Sequence, residues 1–419
     1  MKIKSYRMGS IALALSCMIG LTACNDSNDS NDQNVVSPPT DSRDQRFLTA
    51  KVNDVIQVNI EDLKPTQGAI GYDQIYYKLG RWQGDVNRPT WQASPENQLV
   101  YLNKTIGKKF SDYCEAIGAK SRDDFKTIEA LQKANLKQLD SFGCTEQPGT
   151  EVADLKTVVV GYDGRLYLTD GHHTMSQLQE LPDGGAKLKV WVKVVANESN
   201  LKTADEFWAK MQHTGRTWLR NGKNESITYQ QLPKNLGLLS TSNPNGMQNN
   251  PYRSLVYFTR DIGYEKVANA TDFTEFLWED WFQKQSTQGL VQPLSFYHLD
   301  AKAYGAADVL ASSAIKSDLT VSGSATGYQA AVANYSILMG STQPTDLIYK
   351  DLTAADLGAL RLEKNAAKGS VTANAISNLD ELNRDEIKKD KSPRTGGSVW
   401  YAVNYNQCGK PQTGTCWGW

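Results

Sequence analysis

The sequence predicts an α+β fold, in which a small mixed domain at residues 47–200 precedes an α-helical domain at residues 201–391. In the first region, β-branched runs and alternating apolar residues surround Gly-rich turns, which is typical of strands and hairpins. Beyond Thr203, apolar residues recur every three or four positions, which predicts helices. A length of 419 residues allows two or three domains with a sizeable core.

The mixed domain is predicted from the order of its strand and helix signals. Residues 157–160 and 165–169 are largely β-branched or apolar, and the turn Gly161-Tyr162-Asp163-Gly164 between them indicates a hairpin. The other predicted elements are a strand at 52–60, a Pro-containing turn at 63–67, a helix at 71–82, helical spacing at 110–139 with a break near Gly118, a helix starting at His172 and a strand at 188–195.

The helical domain is predicted as a series of apolar or Ala-rich helices. We expect Glu279 and Asp280 to be exposed helix charges, and the tryptophans of these helices to lie in the core. Those tryptophans are Trp208, Trp218, Trp278 and Trp281. The predicted helices lie near 207–211 and at 252–262, 273–282, 301–314, 327–338, 352–362 and 379–387. Residues 392–419 are Gly-rich and aromatic and are predicted to form a disulfide-looped tail.

The composition excludes several classes of protein. With 40% hydrophobic and 22% charged residues, and a mean hydropathy of −0.51, the chain is neither a polytopic membrane protein nor wholly disordered. Its 45 basic and 46 acidic residues give a formal net charge of −1. Proteins that grip long nucleic acids usually carry a basic surplus, which is missing here overall. A local basic patch remains an open option.

The first 23 residues are typical of a secretory signal. Lys2, Lys4 and Arg7 precede an apolar run at 11–21, which is too short to span a bilayer as a helix. Leu21-Thr22-Ala23-Cys24 resembles the bacterial lipobox, which implies cleavage before Cys24 and lipidation of its thiol. The alternative is an ordinary signal peptide whose Cys24 is buried or disulfide-linked.

Lipidation at Cys24 would anchor the mature protein to a membrane of the cell envelope. Several acyl chains give stable anchorage, whereas one chain is marginal. Asn25, where an inner-membrane lipoprotein would have Asp, favours the outer membrane. Residues 24–46 lack any apolar period and are predicted to form a disordered tether.

The remaining cysteines fit an oxidising compartment. After Cys17 leaves with the signal and Cys24 is acylated, four cysteines are left, and an even number suggests two disulfides. Proximity in sequence favours one bridge from Cys114 to Cys144 and another from Cys408 to Cys416. A thiol nucleophile or a cysteine metal site lacks the CxxC spacing that would support it.

The element Asp170-Gly171-His172-His173 is the strongest candidate for chemistry. It lies between a predicted strand and a predicted helix, where free backbone N–H groups and the helix dipole attract anions. The histidines can donate hydrogen bonds or exchange protons, and Asp170 could orient an imidazole, hold a metal or act as a base. In the structural alternative, Asp170 is only a helix N-cap and Gly171 only completes the turn.

The segment from Val158 to Thr174 resembles the signature of the ParB/sulfiredoxin superfamily, in its ParB-like nuclease branch. Leu63-Lys64-Pro65-Thr66-Gln67, Asn250-Pro251-Tyr252-Arg253-Ser254-Leu255 and Phe276-Leu277-Trp278-Glu279-Asp280-Trp281 match this branch as well, so the resemblance covers roughly residues 50–285. It implies a small α/β domain whose strand-to-helix turn binds phosphates.

The resemblance implies roles for the residues of the strand-to-helix turn and for two residues of the Pro-containing turn at 63–67. Asp170, His172 and His173 would be catalytic, and a divalent metal remains an open option. The phosphate ligands implied are Lys64, Gln67, Gly171 and Thr174. Thr174 stands where kinase-like members often have Arg, and the turn lacks the cysteine of sulfiredoxin, which excludes peroxiredoxin repair. A helix-turn-helix for DNA is not evident.

Two functions from different classes follow. The leading hypothesis is an envelope lipoprotein that binds a phosphorylated small molecule or nucleic acid and hydrolyses a phosphodiester. The alternative is a non-catalytic envelope protein that binds a protein partner through its tail, where Trp417 and Trp419 flank the predicted loop. Arg253 and Arg260 lie seven residues apart and could line a phosphate pocket, although salt-bridged or solvated arginines are the commoner case.

Overall fold

The part of the chain that precedes residue 200 contains both strands and helices. The computed structural model of the chain describes residues 41–86, 88, 94–268 and 271–417. Its strands are β1 (Val55–Asn59), β2 (Leu63–Lys64), β3 (Ala69–Ile70), β4 (Lys156–Val160), β5 (Leu166–Leu168), β6 (Lys189–Asn197), β7 (Gln248–Asn249), β8 (Leu347–Tyr349) and β9 (Leu352–Thr353).

The helices include those predicted before residue 200 and a larger set after it. They are α1 (Tyr72–Trp82), α2 (Pro95–Lys104), α3 (Ile106–Ala116), α4 (Ile128–Lys133), α5 (His172–Glu180), α6 (Ala204–His213), α7 (Pro251–Phe258), α8 (Thr274–Thr287), α9 (Leu294–Tyr297), α10 (Ala301–Tyr304), α11 (Ala306–Val309), α12 (Tyr328–Gly340), α13 (Val371–Leu382) and α14 (Ser398–Cys408). A mixed domain followed by a helical region confirms the predicted α+β class. None of these helices, which cover the described part of the chain, has the length and apolar character needed to span a bilayer.

A five-stranded mixed sheet has the order β1-β6-β4-β5-β2. Strand β6 pairs antiparallel with β1 and parallel with β4, whereas β5 pairs antiparallel with β4 and parallel with β2. The register of β4 and β5 places Val158 opposite Leu168, which confirms the predicted hairpin. The helix predicted from His172 begins directly after this hairpin as α5.

Both faces of the central strand β4 are buried. Val158 and Val160 contribute to the cluster that packs against α1, α3 and α5, whereas Val159 belongs to a second cluster with Phe207 and Trp208 of α6. Alternate side chains of a strand point to opposite faces, so a continuous run of valines serves both layers. Burying each such side chain contributes about 1.5–3 kcal/mol.

A short parallel pairing connects the helical region to the mixed domain. Strand β7 pairs with β3, with Ala69 opposite Gln248 and Ile70 opposite Asn249. Helix α7 begins two residues later at Pro251, and the side chain of Asn250 accepts a hydrogen bond from the backbone N–H of Arg253. The start of α7 is therefore held beside the start of α1, which follows β3.

The predicted tail contains a packed helix that the sequence reading missed. Helix α14 lies against α1 so closely that a Cβ on Gly80 would come within 2.9 Å of the carbonyl oxygen of Tyr401. Trp417 is 6% exposed and its ring makes an edge contact with Trp400. Trp419 lies outside the described residues.

Both predicted disulfides are present. Cys114 pairs with Cys144, and Cys408 pairs with Cys416. The predicted signal at residues 1–23 and Cys24 lie outside the described residues. Of the predicted tether, residues 43–46 contact the folded part, since the Asp44 N–H donates to the carbonyl oxygen of Asp163.

Several details of the helical region differ from the sequence prediction. Glu279 and Asp280, expected to be exposed, are 0% and 3% exposed, because α8 is surrounded by packed side chains on these faces as well. Residues 352–362 begin with strand β9 and turns instead of a helix. The helix predicted at 301–314 is two four-residue helices separated at Gly305, whose φ is 84°.

Candidate active site

The Asp170–His173 turn lies at the N-terminus of α5, directly after β5. Gly171 is the N-cap residue with a φ of 99°, and no side chain caps the helix. The first helical bond runs from the Met175 N–H to the Gly171 carbonyl oxygen (2.9 Å). The N–H groups of His172, His173 and Thr174 precede that bond and have no intrahelical acceptor. This turn therefore presents three amide donors and the positive end of the helix dipole.

Gly171 is required by its conformation and by its surroundings. A positive φ is costly for residues with a Cβ, and a Cβ at this position would come within 2.5 Å of Cγ of Lys156. The Lys156 side chain crosses the turn here, and its Nζ lies 3.5 Å from Oδ2 of Asp170. The Asp170 side chain is 45% exposed.

The His172 imidazole is committed to the backbone of a neighbouring segment. Its Nε2 accepts a hydrogen bond from the backbone N–H of Thr66 (3.0 Å), and the residue is 3% exposed. Burial lowers the pKa of His172 to about 3, against a small opposing effect of Asp170. A neutral imidazole that accepts at Nε2 carries its proton on Nδ1.

His173 also accepts a backbone hydrogen bond, from the segment between β3 and α1. Its Nε2 accepts the backbone N–H of Gly71 (3.0 Å), the residue that precedes α1. Burial lowers the pKa of His173 well below its usual value, and Arg253 lowers it further. While these two bonds are intact, neither Nε2 can exchange a proton with a ligand, and the predicted acid or base role of the histidines has no support from this geometry.

Two arginines of the helical region face the same turn. Arg253 is 4% exposed, and its Nη1 donates to Oε1 of Gln74 (3.3 Å). Glu275 bridges both, with Oε2 3.7 Å from Nη2 of Arg253 and Oε1 2.5 Å from Nη2 of Arg260. Burial would raise the pKa of Glu275, but the two guanidinium groups outweigh it and lower that pKa.

Sequence reasoning raised Arg253 and Arg260 as pocket residues but missed Glu275 and Lys156. The Asn250-Pro251 cap, which orients α7, was a usable signal for Arg253. Lys156 reaches the turn because β4 lies beside β5, and Glu275 because α8 packs against α7. Neither contact has a local signature in the chain.

These groups line one cavity of about 230 Å³, which we call the α5 cavity. The α5 cavity brings the predicted Asp170–His173 turn together with Gln67, which is 3% exposed. Its wall carries the following predicted residues: Gln67, Asp170, Gly171, His172, His173 and Thr174. Its basic side chains are Lys156, Arg253, Arg260 and Lys266, and its acidic ones are Asp170, Asp272 and Glu275. Four basic against three acidic groups, together with the helix N-terminus, make the cavity favourable for an anion.

Lys64 is the predicted phosphate ligand that the structure does not bring to this cavity. Its Nζ donates to the carbonyl oxygen of Glu61 (3.1 Å), and it lines a separate cavity of about 560 Å³ with Pro65 and Tyr162. The reason is the alternation of β2, where successive side chains point to opposite faces. No group of three or more His, Cys, Asp and Glu side chains placed to hold a metal occurs within the described ranges.

Comparison with known proteins assigns the chain to a family. Residues 56–284 match the model of a family described as "Putative ParB-like nuclease". The match covers more than half of the 419 residues, and the chain belongs to this ParB-like family. No curated protein matches the chain.

Among solved structures, the chain is similar to the crystal structure of protein Atu1540 from Agrobacterium tumefaciens. The two are 22% identical, and the match covers 60% of this chain and 88% of that one with a TM-score of 0.34. A likeness at this level carries no argument about function.

The bond from Thr66 to His172 can be tested by substitution. In His172→Ala the buried Thr66 N–H loses its acceptor, and we expect the free energy of unfolding to fall by about 1–3 kcal/mol. In His172→Gln the amide oxygen can replace Nε2, so a clearly smaller loss is expected. Urea unfolding at pH 7.5 measures both. Equal losses in the two variants would contradict a role for His172 as a backbone acceptor.

The wild type and His172→Gln together test the protonation state of the His172 imidazole. Folded His172 has a pKa of about 3, whereas an unfolded imidazole titrates near 6.5. Below about pH 6.5 the unfolded state therefore binds more protons, and wild-type stability is lost as the pH falls towards 3. From pH 7.5 to 5, the wild type should lose about 1–2 kcal/mol relative to His172→Gln. A constant difference would contradict a neutral His172.

Proposed function

We propose that this protein binds a phosphorylated ligand in the α5 cavity. The observation that carries the proposal is the meeting of two guanidinium groups, from Arg253 and Arg260, with the free amides at the N-terminus of α5. Helix N-termini and arginines are the groups that proteins use most often for phosphate oxygens. The family match over residues 56–284 supports the same class of ligand.

The hydrogen-bonding state of Arg253 supports an anionic ligand. Its Nε is buried and has no acceptor among the residues that the structure describes. Glu275 lies at ion-pair distance from Nη2 and leaves that Nε unsatisfied. A buried charged donor without an acceptor is costly, and a phosphate oxygen would supply the missing acceptor.

Phosphate binding is tested with inorganic phosphate and the mature protein in a calorimeter. We expect Arg253→Gln to weaken binding by roughly ten- to a hundredfold, because a charge-assisted bond to a buried group is lost. Arg260→Gln, at a half-buried position, should act in the same direction. Arg361→Gln removes an exposed arginine outside the cavity and should leave the affinity unchanged. Equal affinity for phosphate in the wild type and all three variants would contradict the proposal.

Hydrolysis of a phosphodiester is a second candidate, favoured by the exposure of Asp170. Unlike the two imidazoles, its carboxylate is 45% exposed at the wall of the cavity. It could position or deprotonate water, or hold a divalent metal, while the amides and arginines stabilise charge on the phosphoryl oxygens. A kinase would need nucleoside triphosphates, which are scarce outside the cytoplasmic membrane, whereas hydrolysis needs only water.

The hydrolysis candidate predicts release of product from a chromogenic phosphodiester, with or without added Mg²⁺ or Mn²⁺. We expect Asp170→Asn to lower the rate at least tenfold while inorganic phosphate still binds within threefold of wild type. Asp308→Asn, at an exposed residue that does not line the cavity, serves as the matched control. No release by the wild type under either condition, or equal rates in Asp170→Asn, would reduce the function to binding.

We further propose that the protein works as a lipoprotein of the cell envelope, anchored in the outer membrane. Two observations support this proposal. Leu21-Thr22-Ala23-Cys24 resembles a lipobox, and the chain has two disulfides, which are typical of exported proteins in an oxidising compartment. Cys24→Ala should abolish incorporation of labelled palmitate and shift the protein from the membrane fraction to the soluble one. Cys17→Ala, inside the signal, is the control. Labelled palmitate in the Cys24 variant would contradict lipidation at this residue.

The alternative of a partner-binding tail has less support. It needs exposed tryptophans beside the disulfide loop, but Trp417 is 6% exposed and its Nε1 donates to the Gly409 carbonyl oxygen. The Asp170–His173 turn, in contrast, lines a cavity. A protein partner that binds through the tail stays a prediction.

A further inference from the structure

The α5 cavity borders a larger space that the proposed phosphate site does not use. This space, which we call the side cleft, has a volume of about 500 Å³. The two share six lining residues and are therefore adjacent. The shared residues are Gln74, Lys156, Asp170, Thr174, Arg260 and Lys266.

The part of the side cleft that lies outside the α5 cavity has an acidic surplus, whereas the α5 cavity has a basic one. Among the residues that line only the side cleft, Asp112, Glu115 and Asp154 are acidic and Lys78 is basic. The buried Asp112 carboxylate is already neutralised, since Lys78 Nζ lies 2.9 Å from its Oδ2 and Lys108 approaches its other oxygen. The side chain of Glu115 is 49% exposed, with its Oε1 3.4 Å from Nζ of the same Lys108, and Asp154 is exposed as well. Both carboxylates are therefore accessible to a ligand.

The floor of the side cleft is suited to a small organic group. Trp82, Leu155 and Leu178 contribute buried apolar surface, and Gln177 is a buried amide. The indole Nε1 of Trp82, a residue that is 2% exposed, has no acceptor within the described ranges. A ligand hydroxyl could supply one.

We propose that the side cleft selects small molecules with a single phosphate group whose organic part is polar and neutral or cationic. The inference rests on phosphate binding in the α5 cavity. The phosphate would lie at the N-terminus of α5, and the organic part would extend past Thr174 towards Glu115 and Asp154. The same arrangement disfavours a nucleic-acid strand, which carries a negatively charged phosphate at every nucleotide. The next phosphates would approach two exposed carboxylates, and like charges repel.

Competition for the mature protein tests this selectivity with four probes. They are inorganic phosphate, sn-glycerol 3-phosphate, ethanolamine phosphate and a five-residue oligothymidylate at the same ionic strength. We expect ethanolamine phosphate to bind most tightly and the oligonucleotide most weakly. In the double variant Glu115→Lys, Asp154→Lys, ethanolamine phosphate should bind roughly three- to tenfold more weakly and the oligonucleotide more tightly by a similar factor. Inorganic phosphate should stay within twofold.

Glu129→Lys is the matched control, because Glu129 is an exposed acidic residue of α4 outside both cavities. Its probe affinities should equal those of the wild type. If inorganic phosphate binds in an Arg253-dependent way but the oligonucleotide binds more tightly than ethanolamine phosphate, this inference fails while the proposed function stands. Unchanged affinities in the double variant would also overturn it. Absence of phosphate binding would defeat the proposed function and this inference with it.

Discussion

The two bonds from backbone amides to the imidazoles of α5 hold the site together. Thr66 follows β2 and Gly71 precedes α1, so His172 and His173 tie the N-terminus of α5 to the connection between these elements. Each bond satisfies a donor that burial would otherwise leave unpaired. They add to the parallel pairing of β2 with β5, which places the same turn beside β2, and they extend the connection to the start of α1.

This constraint has a chemical consequence. An imidazole that accepts a backbone hydrogen bond in a buried position stays neutral, and both histidines have a lowered pKa. With the proton on Nδ1 and Nε2 already accepting a hydrogen bond, each imidazole can only donate to a ligand. A catalytic base needs a free lone pair near the ligand. The exposed carboxylate of Asp170 and the cationic side chains around the cavity then remain as the groups able to act on a phosphoryl ligand. The paired histidines thus have a structural role, which is to hold the turn at the N-terminus of α5 against two neighbouring segments.

The balance of charge in the cavity depends on residues that are distant in sequence. Glu275 of α8 pairs with both Arg253 and Arg260, and its negative charge offsets part of their combined positive charge. Lys156 of β4 lies across Gly171 and pairs with Asp170. Because α7 starts directly after the β3–β7 pairing, side chains of the helical region line the same cavity as the turn of the mixed domain.

Elements with strong local signals could be predicted from the sequence. The hairpin around Gly161–Gly164, helix α5 and both disulfides followed from periodicity, turn chemistry and the spacing of cysteines. The sequence also indicated the Asp170–His173 turn as an anion site, because glycine and a helix start are local features. Four facts depend on the packing of distant segments: Nε2 of each histidine accepts a backbone hydrogen bond, Lys64 lies outside the α5 cavity, Glu279 is buried and Glu275 pairs with the arginines. Hydrogen-bond partners, burial and charge pairs depend on which segments pack together, and residues a hundred positions apart leave no periodic trace of that contact in the chain.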